Sequence, residues 1–180
     1  MHITLPQRLF VGFSLAKPQI KQISMIQLEL APFLNTTARP VNLHNLHMTL
    51  GFLGQVDPTS YLQLLNEIEA MPKIQFSQNL TCHTFWPLAK LVCLAGQATE
   101  PLTTMARTII EIAERNNFYI SQKKYTPHVS VFRHVNMPPL AKLRCTTKLQ
   151  LEPTHLHLYQ SSNHSHQVNY SILASWPLTQ

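Results

Sequence analysis

The apolar and polar positions of this 180-residue chain form two kinds of pattern, one typical of buried strands and one typical of helices. Apolar or alternating runs predict strands over residues 8–15, 46–53, 74–85, 91–95, 129–132, 149–159 and 168–173. Apolar spacing of three and four residues predicts helices that open at Pro18, Pro58 and Pro101, because proline fits the first helical turn. Residues 35–45 and the polar turn 161–166 are expected to be irregular.

The predicted elements repeat along the chain. Each half contributes a helix of similar length and a strand that opens with a histidine, any residue and a hydroxyl residue. The two histidines, His47 and His128, are 128 − 47 = 81 residues apart, which is close to half of the chain. This spacing predicts an internal duplication with approximate two-fold symmetry. Since no linker divides the sequence, we expect residues 1–180 to form a single domain of two lobes.

Both histidine strands carry a polar pair within an apolar stretch, reading His47-Met48-Thr49-Leu50 and His128-Val129-Ser130-Val131. A strand period of two puts each imidazole and its hydroxyl on one face and the apolar residues on the other. A third copy, His2-Ile3-Thr4-Leu5 before Pro6, shows that the bare pattern also arises by chance. The matched setting of the other two predicts one shared cleft with acid/base chemistry. Two structural histidines bonded to neighbouring hydroxyls stay the alternative.

Charge and cysteine content narrow the class of protein. Lys and Arg number 14 against 8 Asp and Glu, which gives a net charge of +6 and favours anionic partners such as nucleic acid. An unspecialised basic surface accounts for the charge equally well. Cys82, Cys93 and Cys145 form no C-x-x-C pair, which argues against a disulfide framework or a zinc ribbon. The apolar run 9–16 fits neither a signal peptide nor a membrane span, so we expect a cytoplasmic protein without a membrane partner.

Several blocks of the sequence are similar to one family. They are residues 7–10, 45–54 around His47, 127–133 around His128, and 158–162 with 170–178 near the end. On these blocks the chain resembles the bacterial RNA 2′,3′-cyclic phosphodiesterases of the LigT/ThpR type, in the two-histidine phosphoesterase superfamily. Its mark is a pair of His-x-Thr/Ser-x motifs with an apolar last position. Ser130 and Val131 stand where Thr and Leu are commoner, and Ser130 keeps the hydroxyl.

The resemblance implies a fold and a reaction. The fold is α+β, with two pseudo-symmetric lobes, each an antiparallel sheet with outer helices, around a central cleft. The reaction is hydrolysis of RNA 2′,3′-cyclic phosphate ends to 2′-phosphomonoesters, with tRNA fragments among the substrates to test and reversible, ATP-independent 2′–5′ ligation as a further activity. His47 would be the proton donor, His128 the proton acceptor, and Thr49 and Ser130 phosphate ligands. We expect a monomer that uses no metal and no cofactor.

Further residues are candidates for substrate contacts. Arg133 lies five residues beyond His128, so a regular strand would turn it off the catalytic face, whereas a bent strand end would let it reach the phosphate. Phe10, Phe52 and Tyr125 are candidates to stack on a base, with burial in the core as the alternative. The pair 123–124, two lysines, either guides the RNA backbone or forms a solvated turn.

Three rival interpretations stay open at this point. Two close histidine pairs, His155 with His157 and His164 with His166, suggest a zinc site on one hairpin. A non-catalytic RNA-binding module would explain the basic charge but not the matched histidine strands. A phosphodiesterase acting on small cyclic or 2′–5′-linked nucleotides would use the same motifs on another substrate.

Overall fold

The computed structural model describes residues 7–119, 124–138, 148–164 and 167–179. In chain order the elements are β1 (Gln7–Ser14), α1 (Lys17–Leu30), β2 (Arg39–Pro40), β3 (His47–Val56), α2 (Pro58–Ala70), β4 (Gln78–Leu80), β5 (Cys82–Trp86), β6 (Leu91–Ala95), α3 (Glu100–Arg115), β7 (His128–Arg133), β8 (Leu149–Leu151), β9 (His155–His164) and β10 (Gln167–Pro177). The described helices all lack the combination of length and apolar character that spanning a membrane requires.

The main sheet consists of two antiparallel halves that meet at a single residue pair. One half has the strand order β10-β9-β1-β3 and the other β7-β6-β5. The halves join where Met48 of β3 pairs with Val129 of β7. Towards Arg133, at the carboxyl end of β7, the neighbouring strand on this edge is β2 instead of β3, with Pro40 paired to Phe132. Residues of both β3 and β7 line the cleft, which therefore lies where the two halves meet.

The helices tie the two halves together. Helix α1 follows β1 in the sequence but packs against β7 in the other half, where Gln27 donates hydrogen bonds to the carbonyls of Val41 and Val131. Helix α3 contacts β3 at Gly51, where a Cβ atom would lie 2.6 Å from Cγ2 of Ile109. A glycine at this position therefore lets the helix approach the strand closely.

Two predicted long strands are each divided between two sheets. Residues 74–85 form β4 and β5 instead of one strand, and residues 149–159 form β8 and the start of β9. Strands β4 and β8 pair with each other in a small separate sheet. Pro153 lies between β8 and β9, and its missing N–H and fixed φ explain why the ladder stops there. Apolar alternation alone does not reveal such a change of sheet.

Two segments predicted to be irregular contain strand residues. Residues 35–45 include the two-residue strand β2, whose pairing with β7 gives it its extended form. The predicted turn 161–166 is shorter than expected, because β9 continues to His164 and β10 starts at Gln167. In that hairpin Ser161 pairs with Tyr170 across the two strands.

Candidate active site

The two histidine motifs meet at the junction of the sheet halves. Met48 and Val129, which pair there, are fully buried on the side of the core. Strand alternation therefore turns the residues on either side of this pair towards the opposite, cleft-facing side. Four residues share that face and line the cleft: His47, Thr49, His128 and Ser130. Antiparallel pairing about Met48 and Val129 makes the arrangement two-fold symmetric, with each histidine beside the hydroxyl residue of the other motif.

Each imidazole is held by the same backbone contact. Nδ1 of His47 lies 2.6 Å from the carbonyl oxygen of Asn45, and Nδ1 of His128 lies 2.9 Å from that of Thr126. A carbonyl only accepts, so each Nδ1 carries a hydrogen and donates it, which leaves Nε2 to exchange a proton. Nε2 of His47 lies 3.0 Å from Oγ1 of Thr49. The two motifs therefore fix the same tautomer through the same local geometry.

Aromatic rings surround His47. The ring of Phe10 lies 4.8 Å from the imidazole, and the ring of Tyr170 lies 4.9 Å from it, edge to face. Phe10 is only 2 % exposed and stacks on Tyr159 with an interplanar angle of 7°. Its ring is enclosed by side chains and is absent from the lining of the cleft, which favours the alternative of burial in the core over stacking on a base. The ring of Phe10 packs against the imidazole of His47.

The second histidine has an aromatic neighbour that sequence reasoning missed. The ring of Trp86, at the end of β5, lies 4.4 Å from that of His128 and lines the cleft. Its position depends on how the β5–β6 hairpin packs beside β7, and nothing in the local sequence signals that packing. Tyr125, predicted as a site residue, lines the cleft and donates its hydroxyl to the carbonyl of Thr49 at 3.3 Å. This bond links the approach to β7 with the first motif.

A β-bulge in β7 brings Arg133 to the catalytic face. Ser130 pairs with Cys93 and Phe132 pairs with Val92, so Val131 is an extra residue on β7. The extra residue shifts the alternation by one position, and Arg133 lines the cleft together with Ser130. Of the two expectations for Arg133, the structure shows the bent strand. Nη2 of Arg133 donates to the Tyr170 hydroxyl at 2.8 Å.

The same irregularity follows the first motif. In the pairing of β1 with β3, Val11 opposes Gly51 and Gly12 opposes Thr49, so Leu50 is the extra residue. Phe52 is therefore the counterpart of Arg133, five residues after its histidine and inside the cleft. Phe52 is 46 % exposed, as a ring available for stacking must be. Since β3 and β7 are antiparallel, Arg133 and Phe52 lie towards opposite ends of the cleft.

Burial and charge lower the pKa of both imidazoles. The pKa of His47 is lowered from 6.5 to about 4, mainly by desolvation; the hydrogen bond to Asn45 opposes this, and the charges of His128 and Arg133 contribute to the lowering. Desolvation also lowers the pKa of His128, against the opposing hydrogen bond to Thr126. Both imidazoles are therefore mainly neutral at neutral pH in the free protein. The effect of Arg133 on His47 reflects how near the guanidinium lies to the first motif.

The cleft has a volume of about 1900 Å³, and the charged side chains that line it are all positive. Four cationic residues line it: Arg8, Arg39, Lys124 and Arg133. All 8 acidic residues of the chain lie in the described ranges, and none of them lines the cleft. Tyr119, 58 % exposed, adds a second ring to the lining, and its N–H donates to the carbonyl of Leu53, the residue after Phe52. A basic cleft with exposed rings suits a nucleotide or a nucleic acid strand.

Other predicted features lie away from the cleft or outside the described residues. Nε2 of His157 lies 3.2 Å from the Ser14 hydroxyl and Nδ1 lies 2.8 Å from that of Ser175, so hydroxyls contact both ring nitrogens. Within the described residues, no group of at least 3 His, Cys, Asp or Glu side chains could hold a metal ion. The side chains of His164 and His166, the segment 2–5, Lys123 and Cys145 lie outside the described residues.

The fold and the paired histidines resemble those of LigT-type phosphoesterases, and comparisons with known proteins show that the fold is LigT-like. The structure superimposes on E. coli LigT complexed with 3′-AMP with a TM-score of 0.84 and 27 % identity, covering 97 % of this chain and 99 % of LigT. For LigT in its apo form the TM-score is 0.85 at 26 % identity, with 98 % and 99 % covered. The RNA 2′,3′-cyclic phosphodiesterase of E. coli strain K12 is 28 % identical over 97 % of this chain and 98 % of its own length.

No family model matches the chain. The resemblance to the LigT-type two-histidine phosphoesterases and the α+β fold predicted from it are both confirmed by these similarities, which extend over nearly the whole chain.

Proposed function

We propose that the protein hydrolyses RNA 2′,3′-cyclic phosphate ends to 2′-phosphomonoesters, with His47 as proton donor and His128 as proton acceptor. The observation that carries the proposal is the two-fold arrangement of the motifs about Met48 and Val129, which turns both imidazoles and both hydroxyls into one cleft. Similarity to the E. coli RNA 2′,3′-cyclic phosphodiesterase supports this class of enzyme.

The reaction needs one proton removed and one proton supplied. Water attacks phosphorus in line with the sugar 3′-oxygen, and Nε2 of His128 takes the proton from the water. The bond between phosphorus and the 3′-oxygen breaks, and Nε2 of protonated His47 gives its proton to that oxygen. The product carries a 2′-phosphate and a 3′-hydroxyl, and the two imidazoles end with exchanged protonation states. Solvent then restores them.

The hydroxyls and Arg133 stabilise the charge on phosphorus. Thr49 and Ser130 lie beside the imidazoles and would donate to the non-bridging oxygens, where negative charge grows in the transition state. Arg133, oriented by the Tyr170 hydroxyl, adds a guanidinium on the β7 side of the site, beyond Ser130. These donors are in place before substrate binds, which is what electrostatic stabilisation requires.

The low pKa of His47 fits a proton donor once the phosphate is bound. In the free protein the imidazole is neutral because it is buried and near Arg133 and His128. An anionic phosphate between the motifs favours the charged form and raises the pKa of both imidazoles. Arg133 opposes this rise at His47, so protonated His47 is a stronger acid than it would be without the guanidinium.

The cleft supports RNA as the substrate, and tRNA fragments that end in a cyclic phosphate are natural test molecules. Phe52 and Tyr119 offer exposed rings for the terminal base, and four cations offer contacts for the backbone. Solved LigT structures hold 3′-AMP, ATP and phosphate, which are ligands of the same chemical kind. An RNA 5′-hydroxyl in place of water would give reversible, ATP-independent 2′–5′ ligation. We propose a cytoplasmic monomer that needs no metal.

An end-labelled RNA with a 2′,3′-cyclic phosphate tests the proposal. The wild-type protein in EDTA should convert it to a 2′-phosphate end, resolved from the 3′-phosphate isomer by chromatography. His128→Ala should reduce turnover by roughly 10²–10⁴-fold. His44→Ala is the matched control, since His44 is exposed and does not line the cleft. Wild-type turnover by His128→Ala would contradict the proposal.

A further inference from the structure

Two arginines face each other on the rim of the cleft. Arg39 of β2 is the direct antiparallel partner of Arg133 of β7, and both line the cleft. Like charges directly opposite each other destabilise a sheet. The ion pairs among the described residues join Arg107 to Glu111 and Arg115 to Glu67. Within the described part of the chain, neither Arg39 nor Arg133 has a carboxylate at ion-pair distance. A repulsive pair without a counter-ion points to an anionic ligand.

Backbone pairing of β2 with β7 holds Arg39 beside the second motif. The N–H of Val41 donates to the carbonyl of Val131 at 2.9 Å, and Pro40 pairs with Phe132. Residues 39–41 thus continue along the edge of β7 that the first motif occupies at Met48. The same β7 edge therefore carries the reacting groups at one point and the arginine pair a few residues further on.

Both guanidinium groups are oriented without using all their donors. Nη1 of Arg39 donates to the carbonyls of Thr36 and Ala38, at 2.7 Å and 3.0 Å. Nη2 of Arg133 donates to the Tyr170 hydroxyl. A guanidinium has five N–H donors, so each group keeps donors for a phosphate. Neutral partners fix their direction and leave their positive charge uncompensated.

The order of residues along β7 separates two phosphate positions. Ser130 belongs to the catalytic group, and Arg133 lies three residues further, which a strand rise of about 3.3 Å per residue makes roughly 10 Å or less. Arg133 bonds to the hydroxyl of Tyr170, whose ring lies 4.9 Å from that of His47, so the guanidinium borders the place of the reacting phosphate. Arg39, directly opposite Arg133 on the neighbouring strand, lies level with it along β7 and therefore at the same remove from Ser130. The arginine pair is thus placed for the next phosphate of an RNA strand, not for the reacting one alone.

We propose that Arg39, together with Arg133, binds the phosphodiester on the 5′ side of the terminal nucleoside. Because a nucleoside 2′,3′-cyclic phosphate lacks this group, the arginine pair makes the protein select RNA ends over free cyclic mononucleotides. This inference rests on the proposed function and names the part of the RNA that is recognised beyond the cyclic phosphate.

The test compares two substrates that differ in this one phosphate. One is a short RNA with a 2′,3′-cyclic phosphate end, and the other is the matching nucleoside 2′,3′-cyclic phosphate with a 5′-hydroxyl. For each protein the measured quantity is the ratio of kcat/KM for RNA to kcat/KM for the mononucleotide. Arg39→Gln should lower this ratio about tenfold, mainly through KM, because a charged hydrogen bond to phosphate is lost. The slope of log kcat/KM for RNA against log salt should become shallower by about 0.7.

Two further variants separate the effect of charge from that of folding. Arg39→Lys keeps the positive charge and should keep much of the RNA-to-mononucleotide ratio of kcat/KM. The melting temperatures of Arg39→Gln and Arg39→Lys show whether either variant is destabilised. Arg107→Gln, an exposed helix residue outside the cleft, is the matched control and should leave the ratio unchanged. An equal loss on both substrates, or no loss on either, would overturn the inference. Failure of the wild-type protein on both substrates would instead refute the proposed function.

Discussion

Met48 and Val129 are directly opposite each other where β3 pairs with β7, and each follows the histidine of its motif. This pairing makes the cleft symmetric at its centre, with an imidazole and a hydroxyl on each side. The residues five positions after each histidine break the symmetry, because Phe52 is apolar and Arg133 is charged. One end of the cleft therefore suits a base and the other suits a phosphate.

The two imidazoles should act as a unit. His47→Ala and His128→Ala should each lower kcat for RNA with a cyclic phosphate end by roughly 10²–10⁴-fold, since each removes one proton transfer. The double variant should be little worse than either single variant, because the remaining imidazole has no partner. Rates from single-turnover assays measure the three values. Losses that multiply in the double variant would contradict coupled acid and base roles.

The pH dependence of kcat/KM should have its optimum below 6.5, the ordinary pKa of the imidazole. Both pKa values are lowered in the free protein, one group must be protonated and the other neutral, and kcat/KM reports the free enzyme. Above both pKa values the proton on His47 is lost, and kcat/KM should fall about tenfold per pH unit. Below both, His128 is protonated and activity falls again.

Arg133→Gln should move this profile, because the guanidinium lowers the pKa of His47. Its removal raises that pKa, so the limb of the profile that reports His47 should shift to higher pH while kcat/KM at the optimum falls. A shift of the limb along the pH axis indicates an effect on the pKa of His47. A loss of phosphate binding alone would lower kcat/KM at every pH without shifting the limb. A curve measured for Arg107→Gln supplies the reference, and an unshifted Arg133→Gln limb would contradict the electrostatic account.

Phe52 and Phe10 should respond differently to truncation. Phe52→Ala removes an exposed ring and should raise KM for RNA about tenfold or more, with little change in stability. Phe10→Ala empties a buried site beside His47 and should cost about 3–5 kcal/mol of unfolding free energy. Urea denaturation and initial rates measure both effects. A large KM effect with unchanged stability for Phe10→Ala would restore the base-stacking role for that residue.

Tyr170 should act through Arg133. Tyr170→Phe keeps the ring packed against His47 and removes only the hydroxyl that accepts from Nη2 of Arg133. We expect a decrease of kcat/KM by roughly tenfold, near the lower end of what one hydrogen bond to a charged group contributes. The same substitution in an Arg133→Gln background should have little further effect, and an undiminished effect there would argue against the link.

The strand and helix pattern, and the face on which each imidazole lies, could be predicted from the sequence. A period of two places His47 with Thr49 and His128 with Ser130 without any knowledge of strand partners. Proline at the start of each helix marked the helical boundaries in the same local way. These features depend on neighbouring residues, so local pattern is sufficient for them.

Features that depend on pairing between distant strands could not be predicted. The extra residues Leu50 and Val131 leave no mark in the apolar pattern, yet they turn Phe52 and Arg133 into the cleft. Trp86 reaches His128 only through the packing of a hairpin beside β7. The two-residue strand that carries Arg39 exists only because β7 offers a free edge.

The most direct test of the central claim follows the phosphate and the attacking oxygen in a single reaction. RNA with a 2′,3′-cyclic phosphate end is hydrolysed in EDTA and in water enriched in the heavy oxygen isotope, and the product is analysed by mass spectrometry after chromatography. The account predicts a 2′-phosphomonoester that carries one heavy oxygen, with activity retained in EDTA and lost in His47→Ala and His128→Ala. A 3′-phosphate product, or undiminished hydrolysis by both variants, would contradict it.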